Sequence, residues 1–132
     1  MTVRALKYHG GDGHDEDGED VETVRAGFPN LDHHVDVLRK FGFEPIVAIN
    51  RFVDDADAEF GAILDHCREL DVDAAISEVY HRGAEGGTEL AYLVRKAADA
   101  GAPAFEPLYD LDSPLDEKVE SVATRGCTGL TG

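Results

Sequence analysis

Apolar and polar positions change period along this chain, and the changes mark its elements. Leu31, Val35 and Leu38 recur at helical spacing behind Asn30, a good N-cap residue, and Gly42 supplies a stop. Pro45 then opens a continuous apolar run, Ile46 to Asn50, of the length and composition of a buried parallel strand. Phe60, Ile63, Leu64, Cys67 and Leu70 repeat at helical spacing behind Asp54 or Asp55 as cap, the clearest helix of the sequence. Asp73 to Val79 reads as a further strand, with Ser77 and Glu78 near its carboxyl end. After a loop from Tyr80 to Gly87, a helix beginning at Gly87 or Thr88 turns Leu90, Leu93, Val94 and Ala97 inward, and Gly101 ends it. Val3 to Tyr8 reads as a strand, and Pro103 to Tyr109 as a short strand or extended segment. Ser113-Pro114 forms an N-cap and N1 pair for a last helix through Leu115, Val119 and Val122.

Strands alternating with helices imply right-handed crossovers and a parallel sheet covered by helices. The expected fold is therefore α/β, three-layer, with a mainly parallel sheet. Its first strand starts at the first residue, so one sheet edge is expected to stay open to a second chain. Residues 9 to 20, HGGDGHDEDGED, contain no apolar member and four glycines, and should form an acidic, mobile loop.

Composition alters this picture in one respect. A formal charge of −16, from 28 acidic against 12 basic residues, opposes nucleic acid and anionic membranes as partners. The acids interleave with apolar positions, Asp exceeds Glu, and Lys is scarce, which fits a folded protein of a salt-rich cytoplasm, where screening removes self-repulsion. Cys67 and Cys127 make neither a metal spacing nor a disulfide framework. The absence of a long apolar stretch or a signal-peptide core points to a cytoplasmic protein.

Candidate chemistry gathers at the two strand ends. Phe52 and Tyr80 stand just beyond strands expected to be neighbours, where they could face each other across a planar ligand; the alternative is a pair of loop-anchoring core aromatics. Asn50-Arg51 is similar to the Asn-Lys pair with which many P-loop proteins read a purine, although Val53 occupies the position of the usual Asp. A capped strand end is the plainer reading. Ser77 and Glu78 form a polar pair in a buried strand and need partners, from a ligand or the adjacent loop. His9, Asp12, His14, Asp15, Glu16, Asp17 and Asp20 fit neither an EF-hand nor a zinc spacing, so a solvated loop is the better reading and no metal site is expected. His33 and His34 are read as boundary residues, and no Ser occupies a nucleophile elbow.

Three segments in one order, TVRALKYHGG from Thr2, FEPIVAIN from Phe43 followed by Arg51-Phe52, and AISEVYHRGAEGG from Ala75, resemble the carboxyl-terminal part of the catalytic domain of formate–tetrahydrofolate ligase. The resemblance runs from Thr2 to about Thr124. It implies an ATP-dependent ligase that makes formyl phosphate from formate and ATP, with magnesium, and transfers the formyl group to tetrahydrofolate. It further implies a partial P-loop NTPase-like domain lacking the P-loop, since no GxxxxGK followed by Ser or Thr occurs, and Gly83 to Gly87 lacks the lysine that would reach a phosphate. Phe52 and Tyr80 match the aromatics that sandwich the pterin ring, with Tyr80 in place of the family's Trp. Asn50, Arg51, Ser77 and Glu78 are the candidate nucleotide contacts. The isolated chain is expected to be inactive and to need a complementary amino-terminal half or its own oligomer.

After Thr124 the family runs on as EIYGADG, whereas this chain reads RGCTGLTG from Arg125 to Gly132. A GC-rich coding string for RGCTGLTG, CGG GGC TGT ACG GGG CTG ACG GGN, reads GLYGADG from its third base. Residues 125–132 are therefore expected to be a frameshifted continuation. Two rival readings stay open: a non-catalytic folate- or nucleotide-binding remnant, and an acidic interaction module pairing through the open sheet edge.

Overall fold

A computed structural model describes residues 1–11, 18–101 and 104–126. The elements run α1 (Val3–Gly10), α2 (Val21–Ala26), α3 (Phe28–Lys40), β1 (Ile46–Asn50), α4 (Asp57–Glu69), β2 (Asp73–Ser77), α5 (Val79–Arg82), a 3-10 turn (Gly83–Gly87), α6 (Thr88–Asp99), α7 (Leu115–Ser121) and a π turn (Val122–Gly126).

Among the described residues the sheet has two strands. β1 and β2 are parallel, in a register that sets Val47 beside Ala74, Ile49 beside Ile76 and Asn50 beside Ser77. On its other side β1 takes the first residues of the chain: the Met1 ammonium donates to Ala48 O (2.7 Å), Asn50 N–H donates to Met1 O (2.9 Å), and Thr2 forms a parallel bridge to Asn50. The fold is α/β with a small parallel sheet.

The segment from Val3 to Tyr8 is a helix and not the strand its sequence suggests. Thr2 caps it, the hydroxyl oxygen accepting from Ala5 N–H at 3.0 Å, and Val3, Leu6 and Lys7 then fall on one buried helical face. Among residues 9 to 20, His9 and Gly10 finish α1, Asp20 caps α2 by accepting from Thr23 N–H, and Gly18 O accepts from Lys7 Nζ at 2.5 Å. Both ends of the expected mobile loop are thus held, and its middle, 12–17, lies outside the described residues.

β1 and α4 lie where the hydrophobic pattern puts them. α4 is capped at Ala56 and not at Asp54 or Asp55, because the Glu59 carboxylate reaches back to accept from Ala56 N–H at 3.1 Å. α3 starts at Phe28, two residues before Asn30, since Pro29 fits its first turn. β2 ends at Ser77, so Glu78 lies outside the strand, and the expected loop from Tyr80 to Gly87 is a succession of short helical turns. α7 starts at Leu115 with Pro114 as its cap position, and residues 104–109 form no strand. Residues 102–103 and most of the segment expected to be frameshifted, 127–132, lie outside the described residues.

The core joins Val3, Leu6, Val24, Phe28, Leu31 and Val35 of the amino-terminal helices to Val47, Ile49, Phe60, Ile63 and Cys67. α6 contributes no buried residue, although Lys96 ties it to Asp73 of β2 (3.0 Å): Leu90 and Leu93 are half-buried, and Val94 and Ala97 are exposed. Tyr92, Leu115 and Val119 are also exposed, so the carboxyl-terminal third carries apolar groups facing outward. No helix among the described residues is long and apolar enough to cross a membrane.

Candidate functional site

The carboxyl ends of β1 and β2 open into two neighbouring clefts. Because Asn50 and Ser77 are register partners, the residues that follow leave the sheet side by side, and Arg51 N–H donates to Ser77 O at 3.0 Å. This common departure point delivers Phe52 from one strand and Tyr80 from the other.

Phe52 and Tyr80 line the same cleft, of about 290 Å³, together with Thr2 and Arg4 at the start of α1, Val53 to Asp55, and His81. Phe52 is 48% exposed and Tyr80 84%, so neither ring is a core residue. Tyr80 meets His81 edge-on, with ring centroids 5.0 Å apart. Phe52 sits in a closed turn: its N–H donates to Asp55 Oδ2 (2.8 Å) and its carbonyl accepts from Asp55 N–H (3.3 Å). Two aromatic rings carried just beyond neighbouring strands, bordered by Arg4, Asp54 and Asp55, suit a flat heterocycle with polar edges.

The second cleft, about 680 Å³, is lined by Arg51, Ile76, Glu78 and Arg82, by Glu85 and Gly86 of the 3-10 turn, and by Thr88, Glu89 and Tyr92 of α6. Of the four candidate nucleotide contacts, Arg51 and Glu78 line it, while Asn50 is exposed at the strand end and Ser77 is buried. The Arg51 guanidinium donates to Asp57 (2.5 Å), lies 3.9 Å from Glu78 and covers the Phe60 ring at 5.0 Å. Glu78 also holds Arg82 (2.8 Å), and its backbone N–H donates to Gly86 O (3.0 Å). Glu78 thus finds its charged partners in Arg51 at the end of β1 and in Arg82 of α5.

Lys7 of α1 and Glu59 of α4 form a buried ion pair that sequence reasoning missed. Glu59 is 0% exposed and Lys7 6%, their charged atoms 2.5 Å apart. Glu59 also accepts from Asp20 N–H (2.9 Å) and Ala56 N–H (3.1 Å). Burial acts to raise the Glu59 pKa, but these hydrogen bonds and the Lys7 charge outweigh it and hold the carboxyl below its ordinary value. The available signal was positional: Lys7 follows Val3 at helical spacing, and Glu59 precedes Phe60 in the first turn of an apolar helix. Among the described residues no group of three or more His, Cys, Asp or Glu is arranged to hold a metal ion.

The sequence model of the family described as formate–tetrahydrofolate ligase matches residues 1–129. The formate–tetrahydrofolate ligase of the halophile Haloquadratum walsbyi is 49% identical over 130 residues, which cover 93% of this chain and 22% of that protein. Those of Staphylococcus aureus strains JH9 and JH1 are 44% identical over 124 residues, with the same coverage. The chain thus spans 22% of the length of these curated relatives. With its match running through both strand ends and the turns that carry Phe52 and Tyr80, the chain belongs to the formate–tetrahydrofolate ligase family.

Proposed function

We propose that this chain supplies the folate-stacking face of a formate–tetrahydrofolate ligase, the cytoplasmic enzyme that forms formyl phosphate from formate and ATP and passes the formyl group to tetrahydrofolate. The observation that carries this reading is the shared cleft of Phe52 and Tyr80. A tetrahydropterin inserted between the two rings gains offset stacking on each face, and the smaller ring of Tyr80 gives less of it than a Trp would. The Phe52–Asp55 turn fixes one ring, and the departure of β2 into α5 sets the other.

Asn50, Arg51, Ser77 and Glu78 are proposed to border the nucleotide from the neighbouring cleft. The sequence has no Gly-rich loop with a lysine for the ATP phosphates, so the phosphate cradle belongs to the remainder of the ligase. Magnesium is proposed to enter with ATP as part of the nucleotide substrate. In the completed enzyme β1 and β2 are proposed to extend into a larger three-layer parallel sheet of P-loop NTPase type. Completion comes from the rest of the ligase polypeptide or from a second copy. The outward apolar groups of α6 and α7 favour such association, and they equally support the second reading, a non-catalytic module that pairs with another chain.

The test is complementation. The chain alone should release no formate-dependent ADP with magnesium and tetrahydrofolate, whereas adding the remaining segments of the Haloquadratum walsbyi ligase should restore turnover. Turnover by the chain alone would overturn the assignment of the phosphate cradle. Association without turnover would favour the non-catalytic module.

A further inference from the structure

The Lys7–Glu59 pair ties α1, which begins at the Phe52–Tyr80 cleft, to the first turn of α4, which follows the Phe52 turn. Lys7 belongs to α1, whose first turn brings Thr2 and Arg4 to the cleft. Glu59 belongs to the first turn of α4, immediately after the turn that carries Phe52. One Glu59 oxygen accepts from Lys7 Nζ at 2.5 Å and from Asp20 N–H at 2.9 Å; the other accepts from Ala56 N–H at 3.1 Å. The Ala56 bond closes the downstream end of the Phe52 turn. Its upstream end is closed by Arg51 N–H on Ser77 O and by Asn50 N–H on Met1 O.

A buried carboxylate with three donors has little freedom to move, and each donor belongs to a different segment. We infer that Glu59, held by Lys7, is a positioning residue that fixes the Phe52–Ala56 turn against α1 and thereby sets the separation between the Phe52 and Tyr80 rings. The Tyr80 side needs no such device, because β2 is bonded to β1 along its length. Removing the carboxylate therefore leaves Tyr80 in place and frees Phe52. The consequence for a stacked ligand rests on the folate reading above; the fixing of the turn does not.

The experiment uses the full chain and a variant that separates position from stability. Glu59→Gln leaves Lys7 without its counter-charge and lowers the melting temperature. The double variant Lys7→Met with Glu59→Leu replaces the pair by apolar groups and should recover most of that loss, yet it offers no acceptor to Ala56 or Asp20. In the ligand-free double variant, amide exchange at Asp55 and Ala56 should quicken about tenfold, the scale of one lost hydrogen bond, with exchange in β2 unchanged. Unchanged exchange at Asp55 and Ala56 overturns the positioning role.

Tetrahydrofolate affinity is then measured by equilibrium dialysis for the wild-type chain, Phe52→Ala and the double variant. The double variant should bind about tenfold more weakly despite its recovered stability. Affinity that recovers with the melting temperature overturns the link from Glu59 to the rings. If wild-type chain and Phe52→Ala bind alike, the folate reading falls, and the exchange result alone decides the role of Glu59.

Discussion

Phe52 and Tyr80 combine two properties seldom found together in large aromatics: they face one cleft, and both are substantially exposed. Truncating either should change stability little, since surface substitutions usually fall within about 0.5 kcal/mol. In the completed ligase, Phe52→Ala or Tyr80→Ala should raise the KM for tetrahydrofolate about tenfold, because stacking contributes roughly 0.5–1.5 kcal/mol beyond area burial, and should leave the KM for ATP unchanged. Tyr80→Trp should lower the tetrahydrofolate KM. A parallel loss of melting temperature in both alanine variants would return the rings to a packing role. Glu59 behaves oppositely. Glu59→Gln leaves a lysine buried without its counter-charge and should cost about 3–5 kcal/mol in urea unfolding at neutral pH. Because the folded carboxyl titrates below the ordinary 4.5, its contribution is complete above that pH and disappears as acid carries the chain through the lowered folded value. Wild-type stability should fall steeply over that acid range, and the Glu59→Gln profile should be flatter there.

Helix contacts at the amino-terminal end show why some elements are legible in sequence and others are not. A Cβ on Gly10 would stand 2.0 Å from Thr23 O and 2.5 Å from Gly27 N, so α1 and α2 approach at backbone distance. Gly10→Ala should push them apart and destabilise the chain by about 1–3 kcal/mol, read as a lowered urea midpoint with β1 and β2 intact by amide exchange. β1 and α4 were legible because each is a long enough apolar pattern with turn residues at its ends. α1 was not: Val3 and Ala5 flank Arg4 as one face of a strand would, and only the Thr2 hydroxyl bond and the burial of Leu6 and Lys7 with Val3 reveal the helical period. Period gave the apolar face of α6 correctly but could not say whether anything covers it, and Val94 and Ala97 prove exposed. At the site, the side-by-side arrangement of Asn50 with Ser77 follows from parallel strands and was readable. The Lys7–Glu59 pair was not, since nothing in either segment alone announces a partner more than fifty residues away.

Charge acts on the molecule as a whole. With a net −16, repulsion among carboxylates opposes compaction, and salt relieves it as the Debye length falls from about 30 Å at roughly 0.01 M to about 3 Å at roughly 1 M. The melting temperature followed by circular dichroism should therefore rise with KCl across that range; a flat or falling trend would contradict salt adaptation. Cys67 offers an independent gauge of the same effect. Its side chain is 1% exposed within the core, and burial, with a smaller push from the Asp32 charge, raises the thiol pKa, so the reactive thiolate is scarce in the native state. In a Cys127→Ser background, alkylation of the remaining thiol then times the opening of α4, and that clock should slow as potassium chloride is added.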